Sequence, residues 1–327
     1  MFFLRFTGQK NHIDSLGNKE LGNNIISVVD MPWRFHKSVL SKVCHFHLSS
    51  SVNSRVRLPF KRIWYKGILK KLPQNVASCI VINAHLYSFG DKHLLSYVRD
   101  NYPKCKIVFL FSDKYDYYIR TYKRFPSIEE LRNEYDLVLS YNSMDCQKYN
   151  IEMIRPLMPE YSLIRNDDAI EDSDILFVGQ NKGRLNDLIH IYEICTSAGL
   201  KCEFYISGVA PEDQVYPERI VYNQWMPYSE VLKRVKKTKC VVDLQQKGSS
   251  GITMREYEAF GNDKCLLTDN YFLQNTEFYF EDQIIWYRDF EKNLSKIKNE
   301  FYRSPFFYEH YNESQWYIWL EERLKAR

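Results

Sequence analysis

Arg255 and Glu258 stand three positions apart in Ile252 to Phe260, a run with helical spacing, so a guanidinium and a carboxylate share nearly one face. Directly before them come Lys247, Gly248, Ser249, Ser250 and Gly251, whose small side chains leave backbone N–H groups accessible. Upstream again, Val241, Val242 and Leu244 form a short β-prone run that ends in Gln245 and Gln246. Gly261 is expected to end the helix, Asp263 and Lys264 to turn the chain, and Cys265 to Thr268 to start another strand. A strand, a small-residue loop and a helix N-terminus make an anion site, because free amides and the positive end of the helix dipole point at a phosphate. There Arg255 can neutralise a diphosphate and Glu258 can accept hydrogen bonds from a ribose diol, with Gln246, Ser250, Gly251 and Thr253 around them.

A second strand-to-helix turn carries matching chemistry. Ile175 to Val178 reads as a strand, and Gly179-Gln180-Asn181-Lys182-Gly183-Arg184 follows it directly, before a helix over Leu185 to Ala198. Gly179 with Lys182 and Arg184 at such a turn can cradle a diphosphate.

The run Gly251 to Asn270, GITMREYEAFGNDKCLLTDN, resembles the donor-binding element of GT-B glycosyltransferases, especially bacterial ones that build capsule, exopolysaccharide or lipopolysaccharide. Glu258-Ala259 and Gly261 match the second half of that element, which has the family 1/4-like pattern. The first glutamate common there, eight positions before Glu258, is Ser250 here, a departure from the retaining E-x7-E arrangement. The F-V-G-x-x-K-x-R of Phe177 to Arg184 is also similar, so the resemblance covers roughly residues 170–270. It implies an α/β fold of the GT-B type: two Rossmann-like, doubly wound parallel-sheet domains facing a cleft, with a C-terminal crossover helix. The expected divisions are an acceptor-binding domain over 1–160, a donor-binding domain over 161–290 and a helical segment over 291–327 packing back on the first domain.

The elements that must position these residues are legible along the whole chain. With 327 residues, 45% apolar and 26% charged, the chain is globular and long enough for two domains. No apolar run approaches bilayer length, and the first residues lack the apolar core and cleavage site of a signal peptide. Eight scattered cysteines without a C-x-x-C pair fit a reduced, cytosolic protein. In the first half, Ile25 to Val29, Cys44 to Leu48, Cys79 to Ala84, Lys106 to Phe111 and Asp136 to Ser140 read as strands, with helices over Leu94 to Asn101 and Ile128 to Tyr135. Leu16 to Asn24 reads as a loop. Near-continuous apolar strands alternating with helices predict a parallel sheet covered on both sides, whose ligands sit beyond the carboxyl ends of the strands. Asp30, His85 and Asp113 occupy those ends. In the second half, Lys201 to Ser207 is a strand and Tyr228 to Lys237 a helix.

Charge is unevenly spread. Residues 1–160 carry 24 Lys and Arg against 14 Asp and Glu, a net of +10, and residues 161–327 carry 21 against 27, a net of −6. Arg55 to Leu72 holds seven basic residues and no acid, interleaved with Phe60, Ile63, Trp64, Tyr65, Ile68 and Leu69. One reading lays Lys61, Arg62, Lys66 and Lys70 on an anionic membrane, with Trp64 at headgroup level. The other is a core-packing helix with a solvated basic face. The tail from Phe290 to Arg327 reads as helical, with Trp316, Tyr317 and Trp319 as anchors.

The chemistry implied by the resemblance is transfer of a sugar from a nucleotide diphosphate sugar, a UDP-sugar first, to a hydroxyl of a glycan or polyprenyl-diphosphate-linked acceptor. It needs no separate cofactor. Nothing has the D-x-D look of a metal-holding site, so no metal is expected. An inverting route needs a base, for which Asp113 and His85 rank ahead of Asp30. The protein would work in the cytoplasm or peripherally on the inner face of the plasma membrane. Competing classes are a nucleotide-sugar 2-epimerase of the same fold and a non-catalytic sugar-binding or scaffold subunit. A nucleic-acid binder ranks lowest, given the acidic second half and no RRM-like or helix-turn-helix signature.

Overall fold

The structure is a computed structural model that describes residues 1–7, 17–21, 24–30, 38–56, 58–87, 91–158, 161, 164, 166–246, 251–277, 279–298 and 313–326. The chain divides into two compact units, Met1–Leu157 with Glu313–Arg327, and Met158–Asn312.

The first unit runs β1 (Phe2–Thr7), β2 (Gly17–Leu21), β3 (Asn24–Asp30), α1 (Val39–Leu48), α2 (Ser50–Asn53), α3 (Arg62–Ile68), β4 (Ser78–Asn83), α4 (Lys92–Asn101), β5 (Cys105–Phe111), α5 (Tyr115–Thr121), α6 (Ile128–Glu134), β6 (Leu137–Ser140), α7 (Ser143–Tyr149) and β7 (Glu152–Met153). Its seven strands lie in the order β2-β3-β1-β4-β5-β6-β7. All neighbours are parallel except β2, which pairs antiparallel with β3. Side-chain alternation separates two apolar layers. Leu4, Ile80, Ile82, Ile107, Phe109 and Phe111 face one layer with residues of the helices between Val39 and Glu134. Phe3, Cys79, Val81, Val108 and Leu110 face the other. A parallel sheet with an uncovered apolar face is unstable in water, so the second layer needs a lid. The C-terminal helix α11 (Glu313–Lys325) supplies it with Trp316, Tyr317, Leu320 and Leu324. The Trp316 indole N–H donates to the Arg155 carbonyl at 2.9 Å, which removes the cost of burying that donor.

The second unit runs β8 (Ser173–Gln180), α8 (Leu185–Ser197), β9 (Cys202–Ser207), β10 (Val221–Tyr222), α9 (Tyr228–Lys237), β11 (Thr238–Asp243), α10 (Met254–Gly261), β12 (Cys265–Thr268) and β13 (Ile284–Trp286). Its sheet is parallel throughout, in the order β10-β9-β8-β11-β12-β13. Strands β8 and β11 are therefore neighbours, and the turns that follow them lie side by side at their carboxyl ends.

Several local expectations are corrected. Cys44 to Leu48 is the end of helix α1, not a strand. Its two-residue alternation also places Cys44 and Leu48 four apart, and with Ser41 they make one buried helical stripe. The start signal is Ser38, whose hydroxyl accepts the Ser41 N–H at 3.2 Å. Gly17–Leu21 is a strand where a loop was expected, because it completes the sheet edge beside β3. The basic segment is helical only over Arg62–Ile68. Gly261 is the last helical residue of α10, and the left-handed position that turns the chain is Asp263, with φ 56°.

Trp316→Ala empties a large buried volume at the centre of the second layer. It should lower unfolding free energy by about 3–5 kcal/mol in urea titration, and a loss below about 1 kcal/mol would overturn the role given to α11.

Candidate functional site

The site lies within the second unit, beyond the carboxyl ends of β8 and β11, in a pocket of about 310 Å³. Lys182 and Arg184 come from the turn after β8, Asp243 ends β11 and Leu244 to Gln246 follow it, and Thr253, Arg255 and Glu258 come from the start of α10, with Tyr228 from α9. The turn after β8 is tight, with Lys182 at φ 46° and Gly183 at φ 81°. Arg184 lies over the Phe177 ring at 5.3 Å and donates to the Leu244 carbonyl and, at 3.2 Å, to that of Gln180. It thus ties the two turns together. A Cβ on Gly179 would sit 3.2 Å from the Phe177 ring and 3.6 Å from the Arg184 guanidinium, so glycine leaves the room in which they stack. Burial lowers the Arg184 pKa from its ordinary value, and Asp243 pulls it back up.

Helix α10 is fastened at its start by side chains. The Thr253 hydroxyl accepts the Glu256 N–H at 3.3 Å while Glu256 accepts the Thr253 N–H at 2.5 Å, a reciprocal cap. Thr253 Oγ1 donates to Asp243 Oδ2 at 2.7 Å. Asn270, two residues past β12, donates to Glu256 Oε1 at 2.6 Å and to the Gly251 carbonyl at 3.0 Å. Gly251 has φ 96°, a left-handed conformation that favours glycine. Burial holds the Glu256 carboxyl well above the usual range, and the nearby Asp243 adds to that.

Arg255 and Glu258 pair with each other, as their spacing predicts, and Arg255 also donates to the Val178 carbonyl. Glu258 is only 1% exposed. The Tyr228 hydroxyl adjoins it, and burial followed by the charge of Glu258 raises that phenol well above its ordinary pKa. The structure therefore brings Gly179, Lys182, Arg184, Gln246, Gly251, Thr253, Arg255 and Glu258 to one end of one sheet. Ser250 lies outside the described residues. Sequence reasoning missed Asp243, Tyr228, Glu256 and Asn270. Glu256 had a signal, since Thr253-Met254-Arg255-Glu256 is a capping-box pattern, and Asp243 was visible as an acid inside an apolar strand.

In the first unit, His85 and Asp113 follow β4 and β5 and approach to 3.7 Å between Nε2 and Oδ2, both side chains being exposed. His85 packs edge-on against Tyr118 at 5.1 Å. Asp30 ends β3, and its side chain lies outside the described residues. The basic segment is divided. Lys66 and Lys70 are exposed, and Arg62 is exposed while paired with Asp100 at 2.7 Å. Lys61 is 4% exposed and paired with Asp91 at 2.5 Å, so it is an internal tie and not a surface cation. Trp64 is half-buried and donates its indole N–H to His47 Nδ1 at 2.9 Å. Among the described residues no cluster of three His, Cys, Asp or Glu is placed to hold a metal ion, and no helix is long and apolar enough to cross a membrane.

The pocket makes a pH-dependent contribution to stability through Asp243. Burial pushes its carboxyl up to about 6, against the pull of the Thr253 hydrogen bond, Arg184 and Arg255, while Asp269 adds to the rise. An unfolded aspartate titrates near 3.9, so between those two values the folded protein holds more protons and stability falls as pH rises. Asp243→Asn keeps an acceptor for Thr253 and removes the charge. Its melting temperature should exceed that of the wild type at about pH 8, and the advantage should vanish by about pH 4. A variant that is less stable at both would overturn this assignment.

Residues 191–305 match a family described as glycosyl transferase-like, a span that holds β9 to β13 and α10 but not the turn after β8. No curated protein matches in sequence. Among solved structures, an alpha-glucosyltransferase in complex with UDP-glucose and DNA containing an abasic site is similar with a TM-score of 0.53 and 14% identity, over 99% of this chain and 98% of that one. An alpha-glucosyltransferase in complex with UDP gives 0.53 and 13%, over 100% and 99%. A trehalose-6-phosphate synthase gives 0.51 and 11%, over 99% and 91%. Such likeness extends over both units, and the fold of this chain is that of the GT-B glycosyltransferases.

Proposed function

We propose that this chain is a glycosyltransferase that moves a sugar from a nucleotide diphosphate sugar to a hydroxyl of a glycan or polyprenyl-diphosphate-linked acceptor in surface polysaccharide biosynthesis. The observation that carries the reading is the pocket in which Lys182 and Arg184 share the walls with the start of α10 and the Arg255–Glu258 pair. Lys182, Arg184 and the amides at the start of α10 hold the diphosphate, where leaving-group charge develops. Glu258 accepts from the ribose diol. Arg255 already spends two N–H groups on Glu258 and Val178, so it mainly orients the carboxylate and adds positive charge behind it. The match over residues 191–305 supports a sugar transferase, and the two similar alpha-glucosyltransferases are complexes with UDP-glucose and UDP, which favours a UDP-sugar.

His85 with Asp113 is the best-placed pair for taking the acceptor proton, ahead of Asp30, because the two side chains meet in the structure. The reaction runs without a metal, since cationic side chains and helix amides supply the charge it would bring. The excess positive charge of residues 1–160 suits an anionic membrane surface, with the protein cytoplasmic and peripheral on its inner face.

UDP should raise the melting temperature more than GDP, CMP or dTDP. Lys182→Ala, Arg184→Ala and Glu258→Gln should each weaken UDP binding by about 1.5–3 kcal/mol, read by calorimetry. Arg255→Ala should do so and also lower stability, because it strands Glu258 without its cation. Unchanged UDP affinity in all four variants would remove the donor-site assignment.

A further inference from the structure

The side of α1 that points away from the core is apolar. Ser41, Cys44 and Leu48 are its buried positions. At about 100° per residue, the opposite side carries Val39, Val43 and Phe46, with Lys42 beside them. Val39 is 78% exposed, Leu40 67%, Val43 49% and Phe46 59%. A surface helix normally keeps polar residues there, so this stripe calls for a cover.

A second element continues it. Phe60 is 80% exposed and holds φ 61°, a left-handed conformation unusual for an aromatic residue, and Ile63 on α3 is 66% exposed. The two elements are joined, because Trp64 donates to His47 of α1 and His47 Nε2 meets the Pro59 carbonyl at 2.5 Å. Lys42 on α1 and Arg55, Lys66 and Lys70 in the segment that holds Phe60 and Ile63 are all exposed, and no acid occurs from Arg55 to Leu72.

We propose that this surface docks on an anionic lipid leaflet. Val39, Leu40, Val43, Phe46, Phe60 and Ile63 enter the boundary between headgroups and acyl chains, and Lys42, Lys66 and Lys70 meet lipid phosphates. Charge of a single sign interleaved with apolar side chains favours lipid over a protein partner, whose surface would offer charges of both signs. The proposal deepens the transferase reading by naming the surface that reaches a membrane-held acceptor, and it rests on that reading only for the purpose of docking.

The test is flotation of the full chain with vesicles of phosphatidylglycerol and phosphatidylcholine. The wild type should float with them at low salt, and with vesicles of phosphatidylcholine alone far less. Val43→Asp with Phe46→Asp should cut the bound fraction roughly tenfold, and Lys66→Glu with Lys70→Glu should do the same in a salt-dependent way. These positions face solvent, so circular dichroism and melting should stay at wild-type values. Failure of the wild type to float, or undiminished flotation of the aspartate variant, would overturn docking. So would a dimer in sedimentation that Phe46→Asp dissociates, which would mean that a second copy covers the face. Flotation without any UDP-induced thermal shift would support docking while removing the transferase reading.

Discussion

Burying a carboxylate costs several kcal/mol unless a cation and hydrogen bonds replace the water it loses, and the donor end of the second unit is organised around that constraint. Glu258 satisfies it with Arg255, and Arg255 in turn reaches the Val178 carbonyl on β8. One ion pair on α10 therefore fixes the helix against the strand whose turn carries Lys182 and Arg184. Arg184 repeats the device in the other direction through the Leu244 carbonyl after β11. The two arginines cross-link neighbouring βα turns before any ligand arrives, so the pocket is formed in the free protein and less ordering remains to be done on binding.

Behind the pocket sits a chain of neutral and acidic partners. Asp243, Thr253, Glu256 and Asn270 are linked by hydrogen bonds of 2.5–3.3 Å that end on the Gly251 carbonyl. Burial raises the pKa of both carboxyls, Asp243 adds to the rise of Glu256, and the network holds the entrance to α10 where a phosphate would lie.

The first unit answers a different demand. Its sheet has two apolar faces, and only one is served by the helices that lie between its strands in sequence. Closing the other with α11 makes that unit from the two ends of the chain. The apolar outer stripe of α1 stands apart from both layers, which is why its residues contribute nothing to either core.

Near-continuous apolar runs such as CIVIN and KIVFLF, separated by helical periods, were enough to determine buried parallel strands such as β4 and β5 and the residues just past their ends, because strand burial on both faces leaves no polar alternation to misread, whereas β1 went unread and the order of strands was left open. The three-residue spacing of Arg255 and Glu258 likewise determined that they meet, since helix geometry alone brings such residues together. Tertiary structure decided what local pattern leaves open. The five residues CHFHL satisfy both a period of two and a spacing of four, and the site at which Cys44 and Leu48 are buried chose the helix. Lys61 reads as one basic residue among seven, yet Asp91, thirty positions away, draws it into the interior while Lys66 and Lys70 stay in water. Asp243 and Asn270 became partners of α10 only because β11 and β12 are neighbours in the sheet, and a contact made through strand pairing leaves no mark in the local order of residues.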